Sequence, residues 1–383
     1  MDETAVVKPQ SKKSLLWKFL FIAANIAVVI IIATVDFGGE TATVPLSDAF
    51  ALFRQNRTYL IFALCLPIVF IGLDILKYTI MIHSATKRVR PMTAYNCSQL
   101  GRYYDNVTPF GAGGQAFQIH YLTTKKIDGG NAMAIVITTF ILQQLAFTLA
   151  GPYFIIRYCM SSYAQTYFIV LAWVGYAIYL IIPLTLILIT IKPSIAAAIA
   201  NFFLRLLKKM RLLKQPERFE QRIKDSLDRY QQTAAYIAKN IFRVLIVTVI
   251  SLVQFAVFFA IPYFVCRALG ATAEATVDLF TRMVTIYFAI TIVPTPGNSV
   301  AAEFSFLAVF ASILQGYVFW GILLWRLLVF YLYLAQGLII LISRAFRDTR
   351  RARKERGAQP EPTPENEIAV SNEMIAENNT DKS

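Results

Sequence analysis

The chain has 383 residues, of which 57% are hydrophobic and only 16% are charged. A soluble domain cannot bury that much apolar surface, so the composition excludes an ordinary soluble protein and predicts several membrane spans. The formal net charge of +14 would suggest a nucleic-acid partner in a soluble protein, but in a membrane protein the placement of the basic residues has to be explained first.

Cysteine and histidine usage gives no indication of a metal or redox site. The four cysteines form no CxxC pair, and the two histidines, His83 and His120, lie far apart in the chain. The sequence has no GxxxxGK[ST] motif for binding a nucleotide. We therefore expect no metal and no cofactor, and a transport activity would be passive or coupled to an ion.

Six apolar segments are each long enough to cross a hydrocarbon core of about 30 Å as a helix. The first has no convincing small-residue cleavage site, so it is interpreted as a retained span rather than a signal peptide. The predicted spans lie near residues 15–35, 59–82, 131–156, 167–191, 241–265 and 317–343.

Two further apolar regions, 92–130 and 279–315, are interrupted by polar stretches rich in Pro and Gly, at residues 107–117 and 293–304. Pro and Gly end helices, and a broken backbone at membrane depth persists only inside protein or beside a wet cavity. Each region is therefore predicted to be a re-entrant pair of half-helices. A matching pair of such interruptions indicates a transport site.

The lysines and arginines predict the orientation. With the N-terminus in the cytoplasm, 30 of the 37 fall on cytoplasmic segments, 4 on external loops and 3 within membrane segments. This asymmetry predicts a multi-pass plasma-membrane protein with both termini in the cytoplasm. It also accounts for the positive net charge without nucleic acid as a partner.

The order of the elements repeats along the chain. Repeat 1 (about 15–156) and repeat 2 (about 167–343) each contain two spans, a re-entrant segment and a further span, but the second begins on the opposite face. This order is typical of an inverted-topology repeat, which places a binding site near the midplane. The predicted fold is an all-α polytopic membrane protein with about six full spans plus two re-entrant half-helix pairs.

Three segments lie outside the predicted spans of the membrane domain (15–343). Residues 1–14 form a cytoplasmic N-terminus, and residues 344–383 a cytoplasmic tail that is predicted to be disordered because it becomes rich in Pro, Glu and Asn. A basic cytoplasmic loop, about 192–240, contains the amphipathic stretch 202–213. That stretch either rests on anionic headgroups or extends the fourth span into solvent.

Two motifs carry a resemblance to a known family. Residues 99–122, QLGRYYDNVTPFGAGGQAFQIHYL, closely resemble a signature of the lysylphosphatidylglycerol synthase transmembrane-region family. A second hallmark, Pro-x-Pro-Gly followed by Glu, is matched by Pro294, Thr295, Pro296, Gly297 and Glu303. Where the family often has further glycines, this chain has Asn298, Ser299 and Val300.

The resemblance covers roughly residues 15–343 and implies a prokaryotic protein that handles lipids. The family includes the membrane part of the bacterial multiple peptide resistance factor. In that full-length protein, a soluble C-terminal domain transfers lysine from lysyl-tRNA to phosphatidylglycerol. The membrane part then moves the product to the outer leaflet. Only residues 344–383 follow the last predicted span, so we expect the translocating part without the soluble lysyltransferase domain.

Ionisable residues at membrane depth are costly and are functional candidates by default. Arg102 is expected to pair with a lipid phosphate, and Asp105 with an ammonium headgroup or with Arg102 itself. The alternative is that Asp105 only caps a half-helix. Gln115 and Gln118 either hydrogen-bond the headgroup or tie the broken helix to its neighbours.

Two further pairs of ionisable residues are predicted. Glu303 follows the second interruption and is expected to pair with Arg326, in either a transport role or a purely structural one. Asp74 and Lys77 lie one helical turn apart and are interpreted as a local structural pair, with Lys77 reaching the inner interface.

The residues that we predict to bind or move a lipid headgroup surround the two interruptions, and none is predicted to be catalytic. They are Arg102, Tyr103, Tyr104, Asp105, Thr108, Pro109, Gly113, Gly114, Gln115, Gln118, Thr295, Pro296, Gly297, Glu303 and Arg326.

Three functions remain open. The leading one is a flippase-like translocator that moves a phospholipid, such as lysylphosphatidylglycerol or a related polar lipid, between leaflets. The second is a membrane enzyme of the phosphatidylglycerol lysyltransferase type. The third is a membrane subunit that works beside a separate soluble synthase, for which the basic loop offers a docking surface. Membrane phospholipids are the expected partners, and a separate synthase or a second copy of the chain stays open.

Overall fold

The computed structural model describes residues 44–111, 113–209, 216–271 and 275–357. Contacts divide the chain into a unit of residues 27–338 and a unit of residues 1–26 and 339–383. The described residues are mostly helical and contain no strand, so the all-α prediction is confirmed for them. The first predicted span, 15–35, lies outside the described residues.

The helices of the described residues differ widely in length, from 9 residues in α12 to 31 in α5. In chain order they are α1 (Leu46–Gln55), α2 (Arg57–Thr86), α3 (Pro91–Val107), α4 (Gly114–Thr124), α5 (Gly129–Cys159), α6 (Thr166–Ile191), α7 (Pro193–Lys209), α8 (Pro216–Lys239), α9 (Ile241–Ala268), α10 (Thr276–Ile290), α11 (Ala301–Leu314), α12 (Val318–Arg326) and α13 (Leu332–Gly357). Tight 3₁₀ turns lie at Pro109–Gly111, Pro296–Asn298 and Gln315–Tyr317, and a π-helical segment at Leu327–Tyr331.

Among the described residues, five helical segments are long and apolar enough to cross a membrane. They are α2, α5, α6, α9 and the composite run Pro296–Arg347. The first four match the predicted spans 59–82, 131–156, 167–191 and 241–265, and the composite run contains the predicted span 317–343. The chain is therefore built as a multi-pass membrane protein.

The burial of these helices supports a membrane environment. In α6 the most apolar window has a mean hydropathy of 2.3, yet only 11% of it is buried within the protein. Large apolar side chains such as Ile68 on α2, Ile181 on α6 and Val249 on α9 are at least half exposed. A contiguous apolar surface of this kind would be insoluble in water, so it must face lipid.

Interior packing joins the first and second halves of the chain. Helix α2 packs against α9, α6 packs against α10, and α5 packs against α6, α9 and α10. Aromatic rings fill the centre, including Phe147, Phe259 and Phe288. At Gly175 of α6 a Cβ would collide with the backbone carbonyl of Phe288 in α10, so these two helices can approach closely only because that position is glycine.

The loop between α6 and α9 folds into two helices. Helix α6 ends at Ile191 and α7 runs from Pro193 to Lys209. The described part of the amphipathic stretch, 202–209, therefore lies in the second half of a separate helix, and residues 210–215 lie outside the described part. Helix α8 packs on the start of α5, where Arg229 Nη1 lies 2.6 Å from Asp128 Oδ1 and Thr233 donates a 2.6 Å hydrogen bond to Asn131.

The last helix corrects one prediction. Helix α13 continues to Gly357, whereas the sequence predicted a disordered tail from residue 344. Only residues 358–383 keep that prediction, and they lie outside the described residues. Arg and Lys dominate 344–357, and both are good helix formers, which explains the extension.

Both predicted interruptions are breaks in the helices. Helix α3 ends at Val107 and α4 begins at Gly114, while α10 ends at Ile290 and α11 begins at Ala301. The backbone turns through positive φ at Gly111 (61°) and Gly297 (59°), which glycine allows at little cost. The two 3₁₀ turns at the breaks lie in contact with each other. The breaks therefore meet at one place in the fold.

Candidate functional site

A cavity of about 740 Å³ lies between the two breaks and the central helices. Its charged and amide side chains include Asp74, Arg102, Asp105, Gln143, Gln144 and Arg326. Asp74, Gln143 and Gln254 lie close to the middle of spans α2, α5 and α9. The cavity thus brings polar groups to the depth at which a membrane is most apolar.

Asp74 is the centre of a buried polar network. Its Oδ2 lies 2.6 Å from Nε of Arg102 in α3, and its Oδ1 accepts a 2.9 Å hydrogen bond from Gln254 of α9. Lys77 lies 3.4 Å from the same Oδ1 and donates a 2.9 Å hydrogen bond to Gln143 of α5. The carboxylate of Asp74, which is 1% exposed, thus joins α2 to α3 and α9, and Lys77 extends the network to α5.

Two sequence predictions are corrected here. Arg102 pairs with Asp74 of α2, not with Asp105, because the carboxylate of Asp105 is held elsewhere by the start of α4. Lys77 does not reach an interface, because its side chain is completely buried between Asp74 and Gln143. Asp74 could have been recognised as a candidate site residue from the sequence, because it is an acid within a 30-residue apolar helix.

Arg102 presents an unused part of its guanidinium to the cavity. Only Nε has a hydrogen-bond partner within the described chain, so Nη1 and Nη2 are both available. The guanidinium lies 4.3 Å from the ring centre of Phe70 and 5.5 Å from that of Tyr333, and these rings fix its position. Two parallel N–H groups of this kind match the oxygens of a phosphate or carboxylate.

Asp105 has a structural contact and also lines the cavity. Its Oδ1 accepts a 2.8 Å hydrogen bond from the backbone N–H of Gly114, at the first residue of α4. A Cβ at Gly114 would overlap both this carboxylate and the carbonyl of Gly101. The capping role that the sequence left open is therefore present, and the position next to the cavity leaves a ligand contact available.

The two glutamines of α4 differ in position. Gln118 is buried and donates hydrogen bonds to Tyr78 OH at 2.8 Å and to the carbonyl of Cys97 at 3.1 Å. It thereby joins α4 to α2 and α3, as the structural alternative predicted. Both glutamines line the cavity, but Gln118 is held by these hydrogen bonds, whereas Gln115 is half-buried. Of the two, Gln115 is therefore the better placed to contact a ligand.

Tyr103 and Tyr104 pack beneath the site. Tyr103 is fully buried against Gly337, where a Cβ would overlap its ring, and Tyr104 stacks on Phe117 with ring planes 7° apart. Within the described chain neither tyrosine lines the cavity. They pack α3 against α4 and α13, and their predicted contact with a headgroup stays a prediction.

The predicted pair of Glu303 and Arg326 is confirmed. Arg326 Nε donates to Glu303 Oε1, and Nη1 donates to the carbonyl of Gly297 at 3.2 Å. Arg326 therefore holds α12 against both α11 and the second break. Its Nη2 and Glu303 Oε2 are buried without a hydrogen-bond partner in the part of the chain that the structure describes, and Arg326 lines the cavity while Glu303 lies behind it.

The remaining predicted residues shape the breaks. Thr108 Oγ1 donates to the carbonyl of Tyr104 at 2.6 Å and accepts from the N–H of Gly113 at 3.0 Å. Thr295 Oγ1 donates to the carbonyl of Ser299 at 3.0 Å. Pro109 and Pro296 begin the two 3₁₀ turns. These residues set the backbone path, and of the second turn Gly297 and Asn298 reach the cavity.

Val300 is the strained position of the second break. It has φ 71° and ψ −50°, a conformation that costs a non-glycine residue roughly 1–3 kcal/mol. Its side chain is 53% exposed, so little packing depends on it. Valine at this position therefore carries backbone strain that glycine would relieve.

We predict that Val300→Gly raises the free energy of unfolding by about 1 kcal/mol, because the relieved strain exceeds the entropy that glycine loses. The measurement is thermal unfolding of the purified chain in detergent. Val300→Ala, which keeps a Cβ, should gain less, and Val277→Gly in helix α10 should destabilise. A loss of stability in Val300→Gly would contradict the strain assignment.

Aromatic and aliphatic side chains form the rest of the wall. Phe147, Phe258 and Phe259 line the cavity, and the hydroxyls of Tyr179 and Tyr287 hydrogen-bond to each other at its edge. Helix α6 contributes Tyr179, Ile182 and Leu186 to the lining.

The site brings charged groups of both signs together. Arg102, Lys77 and Arg326 are balanced by Asp74, Asp105 and Glu303, so the set is formally neutral while single groups remain only partly paired. Among the described residues no group of three or more His, Cys, Asp or Glu side chains is arranged to hold a metal ion. The chemistry offered is recognition of a polar, charged group next to an apolar wall.

Comparison with known proteins agrees with this picture. A model of the family described as "Lysylphosphatidylglycerol synthase TM region" matches residues 15–337. A "UPF0104 membrane protein" of Archaeoglobus fulgidus is 23% identical over 282 residues, which cover 73% of this chain and 84% of the relative. No solved structure matches the chain.

Proposed function

Because the chain belongs to the lysylphosphatidylglycerol synthase transmembrane-region family, we propose that it is a flippase-like lipid translocator. A phospholipid headgroup crosses the membrane through the cavity while its acyl chains stay in the bilayer. The charged groups of both signs at the site fit lysylphosphatidylglycerol, or another lipid whose headgroup carries a phosphate together with an amine.

The open guanidinium of Arg102 is the observation that carries the proposal. Moving a charged headgroup into hydrocarbon costs many kcal/mol unless fixed polar groups replace its water. Arg102 lines the cavity, and its Nη1 and Nη2 atoms have no hydrogen-bond partner in the described chain; a lipid phosphate supplies the matching oxygens. Asp105 and Gln115, on the same wall, are assigned to the rest of the headgroup.

Re-entrant half-helices and an inverted repeat are part of this proposal. The order α2, α3–α4, α5 in the first half corresponds to α9, α10–α11, α12–α13 in the second, and each pair of short helices is separated by a Thr-Pro break. Contact between the two breaks supports a common path between the halves. We assign the termini and helices α7 and α8 to the cytoplasm on the asymmetry of Lys and Arg.

A membrane enzyme of the phosphatidylglycerol lysyltransferase type, or a subunit for a separate synthase, is the second candidate. The observation that favours the subunit is the basic, helical α7–α8 segment between α6 and α9, which offers an acidic partner a docking surface. Co-purification of a soluble transferase that detaches in high salt would support this candidate.

The proposal predicts faster lipid movement in reconstituted vesicles. The full chain is inserted into liposomes that carry a fluorescent phosphatidylglycerol, phosphatidylethanolamine or lysylphosphatidylglycerol, and a membrane-impermeant reductant measures the arrival of label in the outer leaflet. We expect at least one of these lipids to cross faster than in protein-free vesicles. No acceleration for any of them would exclude translocation.

The same assay tests the assigned residues. Asp105→Asn and Glu303→Gln should each slow lipid movement, because each removes a charge from the path or from the support of Arg326. Asp48→Asn, at an exposed position of α1, is the matched control and should not change the rate. Full rates in both Asp105→Asn and Glu303→Gln would refute the site and leave translocation standing.

A further inference from the structure

Arg282 of α10 is a buried cation outside the cavity. It is 6% exposed, its Nη1 donates a 2.9 Å hydrogen bond to the carbonyl of Val309 in α11, and its guanidinium lies 3.6 Å from the ring centre of Tyr163. Nε is buried without a hydrogen-bond partner, and Nη2 has no partner among the described residues either. These two N–H groups share one edge of the guanidinium and can hold two oxygens of one anion.

The nearest acid on the same helix is already engaged. Asp278 Oδ1 lies 2.9 Å from Nη2 of Arg157 in α5 and accepts a 3.2 Å hydrogen bond from Tyr163 OH. Burial, together with the adjacent carboxylate, raises the pKa of Tyr163 to about 12, so its phenol stays protonated and donates. Within the described chain no carboxylate lies within 4 Å of Arg282.

The charges of this cluster therefore do not balance. Arg157 and Arg282 carry two positive charges, and Asp278 carries one negative charge. Arginine stays protonated in proteins, and a buried charge without a counter-ion costs several kcal/mol. An anion that enters beside Arg282 would remove this cost.

The position of the cluster indicates where that anion comes from. Arg157 lies two residues before the end of α5, and Asp278 is the third residue of α10. The rim of the cluster thus lies at the end of span α5 and the start of α10, and the end of a span is where the phosphates of a bilayer are found. None of its four side chains lines the cavity of Arg102.

We propose that Arg282 is the centre of a second anion site, which binds phosphate oxygens through Nε and Nη2. The phosphate belongs either to a phospholipid of the adjacent leaflet or to free inorganic phosphate. Asp278 positions Arg157 and Tyr163 at the rim of the site, and a shift of the half-buried Tyr163 ring admits the ligand. This site is independent of the proposed translocation and would exist without it.

The test measures anion binding in a variant whose cavity lacks the guanidinium of Arg102. The full chain carrying Arg102→Met is purified in an uncharged detergent and titrated with dihexanoylphosphatidylglycerol, or separately with sodium phosphate against sodium chloride. The melting temperature reports binding, because a ligand that binds only the folded state raises it. We expect saturable stabilisation by the lipid; saturation by phosphate as well would show that the headgroup oxygens suffice.

Three variants in this background decide the assignment. Arg282→Met should weaken the apparent affinity at least tenfold, Arg282→Lys should give an intermediate loss because lysine lacks the fork, and Asp278→Asn should strengthen affinity because it removes the competing charge. An unchanged response in Arg282→Met, or weaker binding in Asp278→Asn, would overturn the proposal. If Arg282→Met does not fold, Arg282→Lys and Asp278→Asn still give opposite predicted shifts.

Discussion

Replacement of Arg102 by Met is expected to lower the rate of lipid translocation about 100-fold or more, because removing one partner of a buried charge contact costs 2–5 kcal/mol. The variant loses both the fork that faces the cavity and the Nε contact to Asp74. Asp74 keeps Lys77 and Gln254 as partners, so the fold should survive. The measurement is the leaflet-exchange assay in liposomes, with a melting curve of the same preparation.

Two further variants separate recognition from charge. Arg102→Lys retains a cation near Asp74 but has no planar fork, so its rate should fall between those of the Met variant and the wild type. Arg54→Met removes an exposed arginine of α1 and should leave the rate unchanged. A normal rate in Arg102→Met with an intact fold would show that the headgroup path does not use this residue.

Apolar periodicity and length were sufficient to predict most of the fold. A span such as α9, predicted at 241–265 and found at Ile241–Ala268, needs only enough consecutive apolar residues to cross the bilayer. The two breaks could be predicted equally well from the sequence. Proline and glycine impose or permit backbone conformations that a helix excludes, and they occur at Pro109, Gly111, Pro296 and Gly297. These are local properties, and a single sequence contains them.

The partners of the site residues could be predicted only in part from the sequence. Glu303 and Arg326 could be paired because each is an isolated charge within a long apolar stretch. Asp74 and Gln254 are separated by 180 positions, and only the packing of α2 on α9 brings them together. Arg102 and Asp105 share one helix, which made a local pair the obvious prediction, yet each finds a better-placed partner on another element.

The strain at Val300 could be predicted from the sequence only in part. The departure from the glycines that are typical of the family was visible in the sequence, but its consequence was not. Only the backbone angle shows that valine adopts the conformation that glycine would favour. A resemblance can thus mark a position as unusual, but the strain energy at that position can be judged only from the dihedral angles.

Replacement of Asp74 by Asn is expected to destabilise the fold by about 3–5 kcal/mol, because it leaves Arg102 and Lys77 as buried cations without a counter-ion. The effect should appear as a large drop in the melting temperature of the detergent-solubilised chain. Asp128→Asn is the matched control: its ion pair with Arg229 is partly exposed, and asparagine caps a helix as well as aspartate does. That control should lose less than about 1 kcal/mol.

A double variant shows whether charge balance is the cause. Asp74→Asn with Lys77→Met removes one cation together with the carboxylate, so it should recover part of the stability that Asp74→Asn alone loses. If the two changes are instead additive, the network stabilises the helices through its hydrogen bonds rather than through balanced charge. Since the same carboxylate also holds Nε of Arg102, recovery in the double variant would show that balanced charge at Asp74 keeps the Arg102 fork fixed and available to a headgroup.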